Sequence, residues 1–349
     1  MQDQSFPIIS VIVLNYNGGP WIEKCIASLQ NQTLKEPFEI VFADNLSTDK
    51  SDLSAEELLR AVPNARFIQH GANLGFCEGN NRAARAARGQ FFLFLNNDAW
   101  LEADCLDQLM RGVREEMADA ACPLILNYED NSFQSIGAEG FDIFGLPSAR
   151  RRLICKGKVL MPEGCAYFIS SAAFHRLGGF DTTFFMYSDE YDLSWRLWIA
   201  GYKGIRIPEA RVHHRGAANV NPAGGGTMIE FRTSDSKRFY ANRNALLVLL
   251  KNSQHFLFLT VFLQLILLGC EAIVSLVLIR RWSYIRRAYA DAITGCWHLR
   301  SHIGEERRKL GSLRQRSDWA MLQFLTWRLN RWDEVKRMFA FGLPKVARK

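Results

Sequence analysis

Three apolar runs in the first hundred residues each end in a cluster of Asn and Asp. No other feature constrains the fold as strongly. Ile8-Ile-Ser-Val-Ile-Val-Leu14 runs into Asn15-Tyr-Asn17, Phe38-Glu-Ile-Val-Phe-Ala43 into Asp44-Asn45, and Phe91-Phe-Leu-Phe-Leu95 into Asn96-Asn-Asp98. Short runs rich in β-branched and aromatic residues read as buried strands. Helical spacing separates them: Trp21 to Gln30 behind Pro20, a segment near 52–61, and an Ala/Arg-rich stretch ending at Arg88. Ala65-Arg-Phe-Ile-Gln69 supplies a fourth strand. Such alternation predicts an α/β fold with a parallel, doubly wound sheet. Ligands of these sheets bind outside the carboxyl ends of the strands, so the three clusters should line one binding edge. A carboxylate there, such as Asp98, suits Mg²⁺ or Mn²⁺ with phosphate oxygens. An ordinary Asn/Asp turn after the strand is the alternative.

The chain lacks G-x-G-x-x-G and the Walker pattern, which leaves a dehydrogenase or a P-loop NTPase without support. Eight scattered cysteines form no C-x-x-C pair, which speaks against a zinc ribbon or redox motif and for a reducing compartment. With 48% apolar and 12% aromatic residues, a packed core is expected. Met1-Gln-Asp-Gln4 does not read as a signal peptide.

Further along, a helix near 103–116 and a strand at 121–126 precede a loop-rich stretch, 127–160, for which no fold is predicted. A strand at 164–169 and a Gly178-Gly-Phe-Asp181 turn follow. Helical spacing resumes at about Glu190, so Asp189, Glu190 and Asp192 fall in a first turn, where the helix dipole favours acids. They read equally as capping acids and, given the apolar approach Phe184 to Tyr187, as carboxylates of raised basicity suited to general base work. In Val212-His-His-Arg215 the two histidines point to opposite faces of a strand, so at most one can join a site.

These residues bear a resemblance. Ser10-Val-Ile-Val-Leu-Asn-Tyr-Asn17, Ala43-Asp-Asn-Leu-Ser-Thr-Asp49, Asn73-Leu-Gly-Phe-Cys-Glu-Gly-Asn-Asn81, Phe94-Leu-Asn-Asn-Asp98, Gly178-Gly-Phe-Asp181, Phe185-Met-Tyr-Ser-Asp-Glu-Tyr-Asp-Leu193 and Pro208-Glu-Ala-Arg-Val-His-His214 occur in order. Over residues 8 to about 250 the chain resembles family 2 glycosyltransferases, particularly the bacterial rhamnosyltransferase-like branch of cell-surface polysaccharide synthesis. The resemblance implies a GT-A fold, an inverting mechanism and a nucleotide-diphosphate sugar donor held with Mg²⁺ or Mn²⁺. It places Asn15, Asn17, Asp44 and Asn45 at the nucleotide, with Asn73, Asn81 and Asn97 nearby. It places Asp98 and His214 at the metal, His213 being the weaker choice. The family's usual Glu-Asp is swapped here to Asp189-Glu190; the position of the catalytic base is Glu190, with Asp189 as the alternative. Asn96 stands where many members carry a first aspartate. The Gln-x-x-Arg-Trp motif of processive members is absent, so transfer of one sugar or a few is expected.

The remainder, 251–349, reads as a separate hydrophobic and basic helical region after a transferase domain of 1–250. Phe256 to Ile279 carries one charge, Glu271. As a helix it would be about 36 Å long, against a hydrocarbon core of about 30 Å. From Arg280 onward there are 17 Lys and Arg against six Asp and Glu. A single crossing would put that basic tail outside, against the positive-inside rule. The expectation is a re-entrant or interfacial segment broken near Gly269, with a single span as the alternative. The basic helices and their tryptophans would rest on the anionic cytoplasmic face of the plasma membrane. Attachment there suggests a polyprenyl-linked saccharide acceptor. A catalytically silent membrane scaffold is the competing reading, and nucleic acid is not an expected partner.

Overall fold

The computed structural model describes residues 6–148, 155–216 and 232–347. In chain order the first half comprises β1 (Ile9–Asn15), α1 (Gly19–Gln30), β2 (Phe38–Asp44), α2 (Ser51–Leu59), β3 (Ala65–Gln69), α3 (Gly75–Ala86), β4 (Phe91–Asn96), β5 (Ala99–Leu101), α4 (Cys105–Glu115) and β6 (Ala120–Asn127). The stretch without a predicted fold holds four short strands: β7 (Phe133–Ser135), β8 (Gly140–Phe141), β9 (Pro147–Ser148) and β10 (Gly157–Lys158); 149–154 lie outside the described residues. Then come β11 (Ala166–Ser170), α5 (Ser171–Arg176), α6 (Asp189–Ile199), β12 (Gly204–His214), α7 (Asp235–Asn252) and α8 (Leu259–Ile279).

The main sheet runs β10-β12-β6-β11-β4-β1-β2-β3, with β5 added beside β12 and β7 beside β6. β1 to β4 are mutually parallel where they pair, as predicted. Beyond these four strands, whose direction the alternation predicts, the sheet becomes mixed. β11 lies antiparallel between β4 and β6. Its apolar run carries no directional signal, and the chain enters it from a loop instead of a crossover helix.

Side-chain alternation along β4 explains why its whole run is apolar. Phe92 and Phe94 face the layer of α3, α5 and α6, while Leu93 and Leu95 face the layer of α1, α2 and α4. A strand buried on both faces has no polar position to offer until it leaves the sheet. The register then brings the ends together: Asn15 pairs with Asp44, and Leu14 with Asn96. The three Asn/Asp clusters do share one edge.

The C-terminal helices hold a small apolar cluster of their own, around Leu268, Tyr284 and Tyr289, and also share in the main core. Leu246 to Leu249 of α7, with Cys296, Leu310 and Phe324, join the same apolar cluster as Trp195 and Trp198 of α6. Packing therefore crosses the division drawn at residue 250. α8 is continuous through Gly269, where the break was expected. A mid-helix Gly costs about 1 kcal/mol relative to Ala, too little to interrupt 21 residues of otherwise good helix formers. All eight cysteines are free.

Candidate active site

At the shared edge, Asn15 is buried, and its amide donates to Asp44 Oδ1 (2.8 Å), Ser47 Oγ (3.0 Å) and Ser51 Oγ (2.9 Å). Its Oδ1 accepts from Asn97 Nδ2 at 2.7 Å. Asp44 also accepts from the Ser47 backbone and from Gln69. One network thus joins the ends of β1, β2 and β4. Asn17, in the left-handed region at φ 55°, accepts from Thr48 N at 2.8 Å. Asn45 donates to Gly75 O at 3.0 Å, and its Oδ1 is buried with no partner among the described residues. Exposed Asn73 caps the turn into α3 through Gly75 N. Asn81 is used differently. Its amide binds both sides of the Phe180 backbone (2.7 and 2.9 Å), and it lines another cavity with Asp181, Arg196 and His302.

β5 brings the next pair together. It lies antiparallel to β12, with Ala99 opposite His214, and Arg215 N donates to Asp98 O at 3.0 Å. His214 Nε2 consequently stands 3.4 Å from Asp98 Oδ1 and 3.4 Å from the Asn96 amide. On the other side of the ring, Nδ1 lies 2.9 Å from Gln134 Oε1, and Gln134 is itself oriented by donating to Asn127 at 3.1 Å. An acceptor at Nδ1 assigns one proton there and turns Nε2 toward Asp98. Burial opposes the imidazolium, yet Cys165 and Asp98 hold the His214 pKa well above the usual histidine value. His213 faces the opposite way. It stacks on Trp100 at 3.7 Å and meets Glu102 at 3.2 Å.

Asp189 and Glu190 open α6 and share a cleft of ≈590 Å³ with Asn96 and His214. Asp189 is buried and Glu190 half-buried. Burial pushes the Asp189 carboxyl up to about 6. Burial, then repulsion from Asp189, raises Glu190 well above the ordinary range. The cleft also contains Gln134, Glu163 and Cys165, which sequence reasoning missed. Gln134 sits in the loop-rich stretch, where nothing in the local sequence marks it.

A mixed sheet with Asn/Asp clusters at one edge and a paired carboxylate returning from α6 defines a GT-A-type glycosyltransferase fold. A structure of GalNAc-T7 with UDP, GalNAc and Mn²⁺ superposes with a TM-score of 0.55 at 17% identity, covering 71% of this chain and 48% of that one. Residues 10–178, just under half of the chain, match the family model "Glycosyl transferase family 2". EpsH of Bacillus subtilis, named as a glycosyltransferase, is 33% identical over 36% of each chain. The N-acetylglucosaminyl-diphospho-decaprenol L-rhamnosyltransferase of Mycobacterium tuberculosis is 27% identical over 60% of this chain and 76% of its own length. The matched stretch thus spans about a third of one of these relatives and three quarters of the other.

Proposed function

We propose that this protein transfers a sugar, with inversion, from a nucleoside-diphosphate donor to a hydroxyl of a polyprenyl-diphosphate-linked saccharide during surface polysaccharide synthesis. The observation that carries this reading is that His214, held beside Asp98, lines one cleft with the Asp189–Glu190 pair. The UDP-bound neighbour and the decaprenol-linked substrate named for the mycobacterial relative support the donor and acceptor classes. Rhamnose is the sugar that relative transfers and the first candidate here.

Asp98 and His214 fit a divalent cation of the Mg²⁺ or Mn²⁺ kind. Among the described residues no cluster of three protein ligands exists, which suits an ion whose other positions are filled by diphosphate oxygens and water. When bound, such an ion would neutralise charge on the departing diphosphate. The protein's own groups do the rest. The Asn15–Asp44 network fixes the nucleoside edge, and Asn45 Oδ1 is an acceptor left over for the donor. The Asp189–Glu190 pair takes the proton of the attacking hydroxyl at a carboxylate oxygen, Glu190 being the first choice. Met186 and Tyr187 border the cleft.

Asp98→Ala is expected to weaken Mn²⁺ binding at least tenfold in calorimetric titrations of the protein mixed with UDP. Unchanged Mn²⁺ affinity in that variant would remove Asp98 from the metal site.

The membrane attachment belongs to the same proposal. α8 is amphipathic in the reverse of the soluble sense. Gln264 and Thr260 are buried, and Glu271 turns inward to Arg331 at 2.8 Å. Leu259, Phe262, Ile266, Ile273 and Val277 are exposed. Trp282, Trp297, Trp319, Trp327 and Trp332 are also exposed in the basic region that follows. An apolar outer face flanked by Trp and Arg fits a helix lying in a bilayer interface with its polar side on the protein. The full chain is expected to float with vesicles containing anionic lipid and to stay in the pellet through a carbonate wash. Complete release by carbonate would refute insertion, and Ile273→Glu with Val277→Glu should abolish flotation.

A further inference from the structure

We infer that Asn244, on α7 and beyond the family-matched stretch, is a positioning residue for the Asp189–Glu190 pair, an inference that rests on reading that pair as the base. The loop leading into α6 is strained. Phe185 (φ 48°, ψ −52°) is the centre of a γ-turn closed by Met186 N–H to Phe184 C=O, and Tyr187 and Ser188 follow at φ 65° and 62°. This form of γ-turn is rare and strained. Bulky residues at positive φ persist only where their surroundings hold them.

The surroundings can be counted carbonyl by carbonyl. Thr183 O accepts from Arg243 Nη2 at 2.6 Å. Phe184 O, Met186 O and Tyr187 O all accept from Asn244 Nδ2, at 3.1, 2.8 and 2.8 Å. Phe185 O accepts from Phe76 N at 3.2 Å, and Ser188 O accepts from Asp192 N within the helix. Every carbonyl from Thr183 to Ser188 is therefore tied, three of them by one side chain. Asn244 is fully buried, and its orientation is set because Arg243 Nε donates to its Oδ1 at 2.9 Å. Of the loop's own side chains, Phe184 is buried in the core and Phe185 stacks on Tyr240, while Phe185, Met186 and Tyr187 are each more than a third exposed. Two amide hydrogens on a rigid helix thus fix the direction in which α6 begins, and its first two residues are the carboxylates of the cleft. A displacement of about 1 Å at a reacting group can cost about 10²-fold in rate.

The test uses the full-length protein and the isosteric Asn244→Asp, whose carboxylate cannot donate. Amide exchange at residues 184–190 should accelerate at least tenfold, with α7 still protected. Turnover should fall at least 30-fold with the donor KM within threefold. Adding Ser188→Gly, which accepts positive φ without strain, should recover at least threefold of the lost turnover. A merely structural defect in α7 would not be rescued there. If Asn244→Asp does not fold, Asn244→Ser is measured in the same way, and protection of 184–190 equal to the wild type in either variant overturns the inference. So does loss of turnover with no rescue. A wild type that transfers no sugar from any nucleoside-diphosphate donor defeats the proposed function instead, while the exchange measurement still decides the role of Asn244.

Discussion

Replacing Glu190 with Gln is expected to lower turnover by about 10²- to 10⁴-fold while the Kd for the donor nucleotide stays within a few-fold. The substitution preserves shape and removes only the ability to accept a proton, and Glu190 lies in the cleft, not in the Asn15–Asp44 network. The pH profile sharpens the test. Burial raises both carboxyls, and Asp189 raises Glu190 further. A base must be ionised to act, so activity should fall as pH drops through the raised values of the coupled pair. That acid limb should lie near or above 6, the value to which Asp189 is pushed, instead of near the ordinary carboxylate value of about 4. Asp189→Asn removes the repulsion on Glu190, so its acid limb should move to lower pH with the smaller loss of turnover. If Asp189→Asn loses the more, the base is Asp189. Wild-type turnover in Glu190→Gln would remove the pair from the chemistry.

The shared edge of Asn and Asp side chains was readable from sequence because strands buried on both faces leave polar residues only at their ends. Asn15, Asp44 and Asn97 stand out against Val, Ile and Phe for that reason. Asp98 was readable by the same logic. Its partner His214 lies more than a hundred residues away, and its place beside Asp98 depends on the pairing of β5 with β12, which no periodicity announces. The opposed faces of His213 and His214 did follow from strand geometry. Gln134 and Asn244 were invisible for a different reason. Each acts through its amide on a neighbour, and amides carry no spacing rule. Asn81, which the resemblance placed near the nucleotide, commits its amide to the Phe180 backbone. The direction of β11 and the continuity of α8 were missed because an apolar run has no polarity of its own and one Gly is a weak punctuation mark.

Lys251→Met is expected to destabilise the fold by about 3–5 kcal/mol, the usual cost of removing one partner from a buried ion pair. Lys251 is 2% exposed and lies between two acids, meeting Asp192 Oδ1 at 3.0 Å and Asp181 in a short contact. Arg196 Nε (2.8 Å) and Asn252 Nδ2 (2.9 Å) also serve Asp192, and His302 serves Asp181 at 2.8 Å. Methionine fills similar space but leaves two buried carboxylates short of a cation. Burial by itself raises both acids. His302 and Lys251 nevertheless hold Asp181 below the ordinary carboxylate value, and Arg196 and Lys251 do the same for Asp192. Groups with lowered folded pKa contribute stability that is present above the unfolded value of about 4 and is lost as pH falls through the folded one. Without Lys251 the folded values rise, so acid unfolding should begin at higher pH than in the wild type. Asp192→Asn added to Lys251→Met should return part of the lost stability, because it removes one of the stranded charges. Chemical denaturation showing less than about 1 kcal/mol of loss, the range of exposed pairs, would mean that water or a neighbouring cation replaces the lysine. The network also has a bearing on the site. Asp192 stands two residues after Glu190 on α6, Lys251 belongs to α7, and His302 comes from the basic C-terminal helices. One cluster of charges therefore locks the helix bearing the proposed base to the region proposed to meet the membrane, and the two halves of the chain should unfold as one unit.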